Sequence, residues 1–390
     1  MKVLLVHNDY GKRSGEEAVV DKMAGIFASL GYETAQLRMS TATVRGTLAG
    51  KIRVFFAGMW SPVGVRAMRD TLRREKPDVV NIHNLYPFIS PASLRECRKA
   101  GVPVVMTVHN FRLICPTGLF IRDGAPCEIC LERGHEWGCV RHNCEHSPFK
   151  SLGYAVRNAV ARIGRHYLEC VDLFACLTDF QRRKLIEAGF PPEKLIVIPN
   201  SIDIKDITPR EGTGRYVAFC GRISHEKGID LIVEVARRHP EIPFRLAGAV
   251  GDPSLVADLP ANVELVGFVS GKALDDFYDN AAFVLMASRC YEGFSMAILE
   301  AAAHSRPTVA PGHGGFTEII RALCERGSDQ LLFEPGNADS LEAAVTRLWH
   351  APERTRALGQ TAAANLRRLY TVDVVSQQWK KAVNKVISDK

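Results

Sequence analysis

Two glutamates with seven residues between them, Glu292 and Glu300, mark the run Tyr291-Glu292-Gly293-Phe294-Ser295-Met296-Ala297-Ile298-Leu299-Glu300. Glu292 stands beside a glycine, and Glu300 lies in an apolar, helix-forming stretch. The pattern predicts a loop turning into a helix, whose first backbone N–H groups face an anion. A carboxylate on that helix can accept hydrogen bonds from a polyol such as ribose. A second run, Phe219-Cys220-Gly221-Arg222-Ile223-Ser224-His225-Glu226-Lys227-Gly228, puts two cations on one loop. Arg222 and Lys227 together can neutralise a diphosphate, including the charge it gains as a leaving group. A ligand combining phosphate and sugar satisfies both runs.

Two histidines follow apolar runs in the first half of the chain. His83 follows Val79-Val80-Asn81-Ile82, and His109 follows Val105-Met106-Thr107-Val108. A histidine at a strand end can orient, donate to or accept from a substrate hydroxyl. His83, Asn84 and Asn110 are the candidates for an acceptor side. Gly11-Lys12-Arg13-Ser14-Gly15-Glu16 reads as a glycine loop ahead of a helix, able to approach a phosphate or sugar. Five cysteines, Cys115, Cys127, Cys130, Cys139 and Cys144, crowd a segment that replaces a short strand-to-helix connection. Soft thiols at C-x2-C and C-x4-C spacing suit a structural zinc as well as a reduced loop. Nothing in the phosphate chemistry requires a catalytic metal.

The elements that must position these residues are legible from apolar runs. Short, β-branched stretches at 3–6, 79–82, 102–108, 173–177 and 195–198 recur in the second half at 216–219, 244–246, 263–266, 283–286 and 308–310. Helical patterns separate several of them, as at 16–29 and 181–188. Alternating strands and helices imply parallel sheets covered on both faces. Two series imply an α/β protein of two doubly wound, Rossmann-like domains, with ligands outside the carboxyl ends of the strands and a cleft between the domains. The join falls near Pro199-Asn200-Ser201. This gives an N-terminal domain at 1–198 and a C-terminal domain at 199–371.

A chain of 390 residues with 46% apolar and 24% charged residues fits two soluble domains. Its first residues lack the length and cleavage site of a signal peptide, which points to the cytoplasm. Residues 1–200 carry 28 Lys and Arg against 19 Asp and Glu, whereas 201–390 carry 22 against 24. The basic half includes Lys51, Arg53, Arg66, Arg69, Arg73, Arg74 and Lys76 among Val54, Phe55, Phe56, Met59 and Trp60. That mixture suits an anionic membrane surface, or equally a solvated helix. No recognised nucleic-acid motif accompanies the charge.

These residues resemble glycosyltransferase family 4, the retaining enzymes of the GT-B fold, over essentially the whole chain. The likeness rests on Glu292 to Glu300, on Gly221-Arg222 to Lys227-Gly228, and on Gly314-Gly315-Phe316-Thr317-Glu318. The resemblance implies a sugar transfer from a nucleotide diphosphate donor, a UDP- or GDP-sugar, to a hydroxyl acceptor. It assigns Arg222 and Lys227 to the donor diphosphate, Glu300 to the ribose, and Glu292 with Gly293, Phe294 and Ser295 to the transferred sugar. His109 would be the active-site histidine, and Gly15 would lie on the loop near donor and acceptor. No catalytic metal is implied. Many relatives assemble capsule, exopolysaccharide or O-antigen on a polyprenyl carrier at the inner face of the membrane. The C-terminal helix, 372–390, would pack back on the first domain. Ser295 replaces a more usual glycine, and the cysteine-rich loop occurs in part of the family. A nucleotide-sugar 2-epimerase and a non-catalytic sugar-binding protein are the alternatives.

Overall fold

The computed structural model describes the chain except residues 10–14, 42–47, 211 and 390, and gives the backbone alone for 15, 16, 48, 49, 51 and 52. The chain divides into two compact units. The first comprises Met1–Leu119, Glu128–Pro199 and Val375–Lys390, and the second Phe120–Cys127 and Asn200–Val374.

In the first unit, six parallel strands form one sheet in the order β2-β1-β3-β4-β7-β8. Their bounds are β1 Lys2–Asp9, β2 Glu33–Ser40, β3 Val79–Asn84, β4 Val104–Val108, β7 Leu173–Cys176 and β8 Leu195–Val197. Strands β1, β3 and β4 are buried on both faces, which is why they read as largely apolar runs, with buried Asn81 donating to Thr107 of the neighbouring strand. The C-terminal helix Val372–Ser388 buries Val375, Trp379, Ala382, Val383 and Val386. The Trp379 ring meets Phe27 edge-on at 5.7 Å, and this contact packs the helix on the first unit.

The second unit repeats the plan with β9 Tyr216–Cys220, β10 Phe244–Ala247, β11 Val263–Gly267, β12 Ala281–Leu285, β13 Thr308–Pro311 and β14 Leu332–Phe333. Their order is β11-β10-β9-β12-β13-β14, all parallel. Its core is aromatic, with Phe219, Phe244, Tyr278, Phe283 and Phe316 fully buried. Strand order reverses between β9 and β12, so the chains leaving these strands diverge and open a crevice at their carboxyl ends. In the first unit the same point lies between β1 and β3.

One segment departs from a simple division at residue 198. A small antiparallel hairpin, β5 Ile121–Arg122 and β6 Ala125–Pro126, belongs to the second unit although it lies within the first half of the chain. Phe120, fully buried, anchors it with its ring 5.9 Å from Tyr291.

Candidate functional site

The two motif loops of the second unit leave the two strands that flank its switch point. The first follows β9 and carries Arg222 and Lys227; the second follows β12 and carries Ser288 to Gly293. Lys227 Nζ lies 2.5 Å from Glu292 Oε1, and Ser288 Oγ donates to the same oxygen at 2.5 Å. Burial works against the Lys227 charge, but the Glu292 carboxylate outweighs it and holds the ammonium above its ordinary pKa. Arg222 is exposed and pairs with Glu226 at 2.7 Å, one helical turn along the loop.

Glycine makes this close approach possible. Gly228 has φ +68°, and a Cβ there would sit 2.0 Å from the Ala287 carbonyl oxygen. Gly315 donates its N–H to the Glu292 carbonyl at 2.9 Å, and a Cβ on it would lie 2.5 Å from the Gly293 oxygen. The helix Gly314–Cys324 therefore begins directly against the glutamate loop. So does the helix Met296–Ala303, whose N-cap Ser295 makes no side-chain capping bond. Glu300 lies on this second helix and accepts the Tyr278 hydroxyl at 2.9 Å. Phe294 packs edge-on against Tyr370 at 5.8 Å. The result is one basic loop, two helix N-termini and two carboxylates at one sheet edge, an arrangement suited to an anion joined to polyols.

Ser288 and His313 belong to this constellation and were not read from the sequence. His313 Nε2 donates to the Ser288 carbonyl at 3.0 Å, and burial lowers its pKa. Neither residue sits in a motif, and only the folded loop brings them to Glu292.

In the first unit, His83 and His109 end adjacent strands, and their rings stack at 5.0 Å with Nδ1 of His83 2.7 Å from Nε2 of His109. Burial pushes the His109 pKa down to about 3 and that of His83 well below the usual range. His7, at the end of β1, is held at about 4 by burial and by Arg38. Three neutral imidazoles thus line the carboxyl edge of β1, β3 and β4. Asn84 is buried, and its side chain fixes the turn by bonding Asn8 O, Tyr86 O and Tyr86 N. Asn110 accepts from the Arg112 N–H at 2.9 Å. Beyond these residues a cavity of about 100 Å³ is walled by Tyr86, Arg112, Asn158, Tyr167 and Phe190. Tyr86 and Arg112 each follow a rim histidine by three residues. Gly15 opens the helix Gly15–Ser29, while the rest of the predicted glycine loop, 11–14, lies outside the described residues.

The cysteine segment folds onto the helix Pro148–Ile163. Glu136, 3% exposed, forms a bidentate pair with Arg162 at 3.0 Å for each bond, and Arg157 donates to the Pro116 carbonyl at 2.7 Å. The Cys139 thiol is hydrogen-bonded with Cys144, lies near Cys115 and Cys130, and is pushed up by that bond and by burial. Cys127 belongs to the hairpin in the second unit. Among the described residues, the potential ligands that gather within 4.8 Å of one another are His7, Asp9 and Glu17, not the thiols.

Two family models match the chain in tandem. "Glycosyltransferase Family 4" matches residues 44–206 and "Glycosyl transferases group 1" matches residues 200–365. With two doubly wound units, this defines a glycosyltransferase of the GT-B class. HepE of Anabaena, solved with UDP, superposes at TM-score 0.67 with 16% identity, covering 99% of this chain and 100% of that one. Among curated relatives, an uncharacterised 42.6 kDa protein in the cps region of Klebsiella pneumoniae is 25% identical over 64% of this chain and 61% of its own length. A GDP-mannose-dependent alpha-(1-6)-phosphatidylinositol dimannoside mannosyltransferase of Mycobacterium tuberculosis is 25% identical over 91% of this chain and 90% of its own. The chain belongs to glycosyltransferase family 4.

Proposed function

We propose that this enzyme transfers a sugar, with retention of anomeric configuration, from a nucleoside diphosphate sugar to the hydroxyl of a lipid-linked glycan. The observation that carries this reading is the Lys227–Glu292 pair at the switch point of the second sheet, set against two helix N-termini. Lys227 and Arg222 bind the diphosphate and stabilise the charge that develops as it leaves. Glu292 and the backbone of Gly293 to Ser295 hold the transferred sugar, and Glu300 holds the ribose. His109, kept neutral by burial, hydrogen-bonds the reacting sugar; the acceptor hydroxyl attacks from the face that the diphosphate vacates, and its proton passes to a phosphate oxygen of that leaving group. The residues about His83, Asn84 and Asn110 form the acceptor side, with the adjoining cavity.

Relatives support the donor class: one was solved with UDP and another is named for GDP-mannose. A cps-region relative and a phosphatidylinositol dimannoside mannosyltransferase support a polysaccharide or lipid-linked acceptor. The basic and aromatic segment around residues 51–76 supports placing the reaction at the cytoplasmic face of an anionic membrane. Catalysis runs without a metal in this scheme. A structural zinc on the cysteine loop is a separate proposal, supported by the C-x2-C and C-x4-C spacing and by the hydrogen bond between Cys139 and Cys144.

The test is a turnover screen of UDP- and GDP-sugars, with and without EDTA and a polyprenyl-diphosphate-sugar acceptor, following released nucleotide and sugar. Acceptor-dependent release from one donor, unaffected by EDTA, is expected. An isomerised donor formed without acceptor would replace the transferase by an epimerase. Nucleotides that neither stabilise the protein nor turn over would remove the donor-site reading.

A further inference from the structure

Most large apolar side chains of the first unit are buried, but several on or beside the helices Leu48–Met59, Pro62–Glu75 and Pro148–Ile163 are not. Phe56 and Trp60, one turn apart at the end of the helix Leu48–Met59, are each 61% exposed, and Val63 follows at 53%. On the helix Pro148–Ile163, Phe149 is 82% and Leu152 40% exposed. These helices touch one another. The Phe55 ring rests on Gly153 so closely that a Cβ there would lie 2.7 Å from it, and Gly58 lies against the Arg157 side chain. Phe55 and Phe56 pack edge-to-face at 5.3 Å. The exposed residues thus lie on helices that touch, brought together from two distant parts of the sequence.

The exposed charges within these stretches of the sequence are basic. The sequence has no Asp or Glu between Glu33 and Asp70, or between Glu145 and Glu169. Within those acid-free stretches Arg53, Arg66 and Lys150 are exposed. Aromatic side chains flanked by cations suit an interface where apolar atoms enter lipid and cations meet anionic headgroups. A protein partner or second copy with its own mixed charges would find few acids here: Glu145, at the border of the face, is half-buried and already interacts with Lys150.

We propose that Phe56, Trp60, Val63, Phe149 and Leu152, with Arg53, Arg66 and Lys150, form a docking face for an anionic lipid bilayer. The docking rests on the proposed function only in that a lipid-linked acceptor is presented at such a surface. The helix at the end of the cysteine segment supplies half of the face, so this segment also serves to hold Phe149 and Leu152 beside Phe56.

The test is flotation of the full chain with vesicles of phosphatidylcholine alone, or with about one-third phosphatidylglycerol. Binding to the anionic vesicles only, weakened by added salt, is expected. The variant Phe56→Ser/Trp60→Ser/Phe149→Ser should lose binding by about tenfold or more. Arg53→Glu/Lys150→Glu should lose it comparably. Circular dichroism and nucleotide-induced thermal stabilisation confirm that each variant folds. Wild-type protein that ignores anionic vesicles, or folded variants that bind them normally, would overturn the proposal. So would a dimer, seen by light scattering without lipid, that the triple substitution dissolves while vesicles fail to bind. Donor turnover is measured separately: vesicle binding without turnover sinks the enzymatic reading and leaves the docking face, and turnover without vesicle binding does the reverse.

Discussion

Replacing Lys227 by methionine separates its chemical role from its structural one. Methionine keeps most of the apolar stem and removes the charge, leaving Glu292 with Ser288 as its hydrogen-bond donor. The Lys227 and Glu292 side chains are 20% and 14% exposed, between a surface pair and a core pair. Exposed pairs contribute up to about 1 kcal/mol, and breaking a buried one costs about 3–5, so a loss of about 1–2 kcal/mol in stability is expected. In kinetics the cost should be larger. A cation aimed at a leaving diphosphate contributes about 3–4 kcal/mol to the transition state, which is about 10²–10³ in kcat/KM. The assay is nucleotide release with the preferred donor and acceptor, alongside denaturant unfolding. The double variant Lys227→Met/Glu292→Gln removes the stranded carboxylate, so stability should largely return while the rate stays low. If Lys227→Met turns over within about threefold of wild type, the cation does not act on the leaving group. Recovery of the rate in the double variant would show that the pair is merely a strut.

Glu300→Gln should raise the donor KM about tenfold with little change in kcat, since a bond to a charged group contributes about 1.5 kcal/mol or more; an unchanged KM removes the ribose contact. His109 and His7, with folded pKa values of about 3 and about 4, are depressed below their unfolded values. The stability from keeping them neutral is present above the unfolded histidine pKa near ~6.5 and is lost as pH falls through the window toward the folded values. Denaturant unfolding at pH 7.5 and 5 should therefore show a smaller pH dependence for His109→Asn than for wild type, and equal slopes would contradict the buried neutral ring. For the cysteine loop, elemental analysis should find about one zinc per chain, lost with thermal stability in Cys139→Ser/Cys144→Ser; metal-free protein indifferent to chelation would mean the thiols act only as packed, reduced side chains.

The sequence was most legible where burial is complete. Runs such as Val79–Ile82 and Phe283–Met286 are apolar because both faces are covered, and they correspond to central strands. Edge strands hid. In β2 only Leu37 is buried, and β14 is two residues long, so neither produces an apolar run. The motif residues were legible because their chemistry needs glycines and charges close together in the chain: Arg222, Lys227, Glu292 and Glu300 all lie on elements leaving β9 or β12. Ser288 and His313 were not: Ser288 reaches Glu292 only through the fold of their shared loop, and the His313 bond to the Ser288 carbonyl exists only after two loops meet.

Long-range packing accounts for what was missed around the cysteine segment. The sequence shows a long insertion with metal-like spacing, but nothing local says that Phe120 leads a hairpin into the second unit or that Phe149 will be exposed. A phenylalanine after Ser-Pro reads as a helix start and a packing residue. It is a surface residue here, on a helix whose Gly153, one turn later, admits the Phe55 ring from a helix about a hundred residues earlier. With a larger residue at 153 that ring would have to shift, since a Cβ there would lie 2.7 Å from it. The basic-aromatic segment around residue 55 was therefore only half of a surface. Its other half depends on a glycine whose significance appears only when the two helices touch.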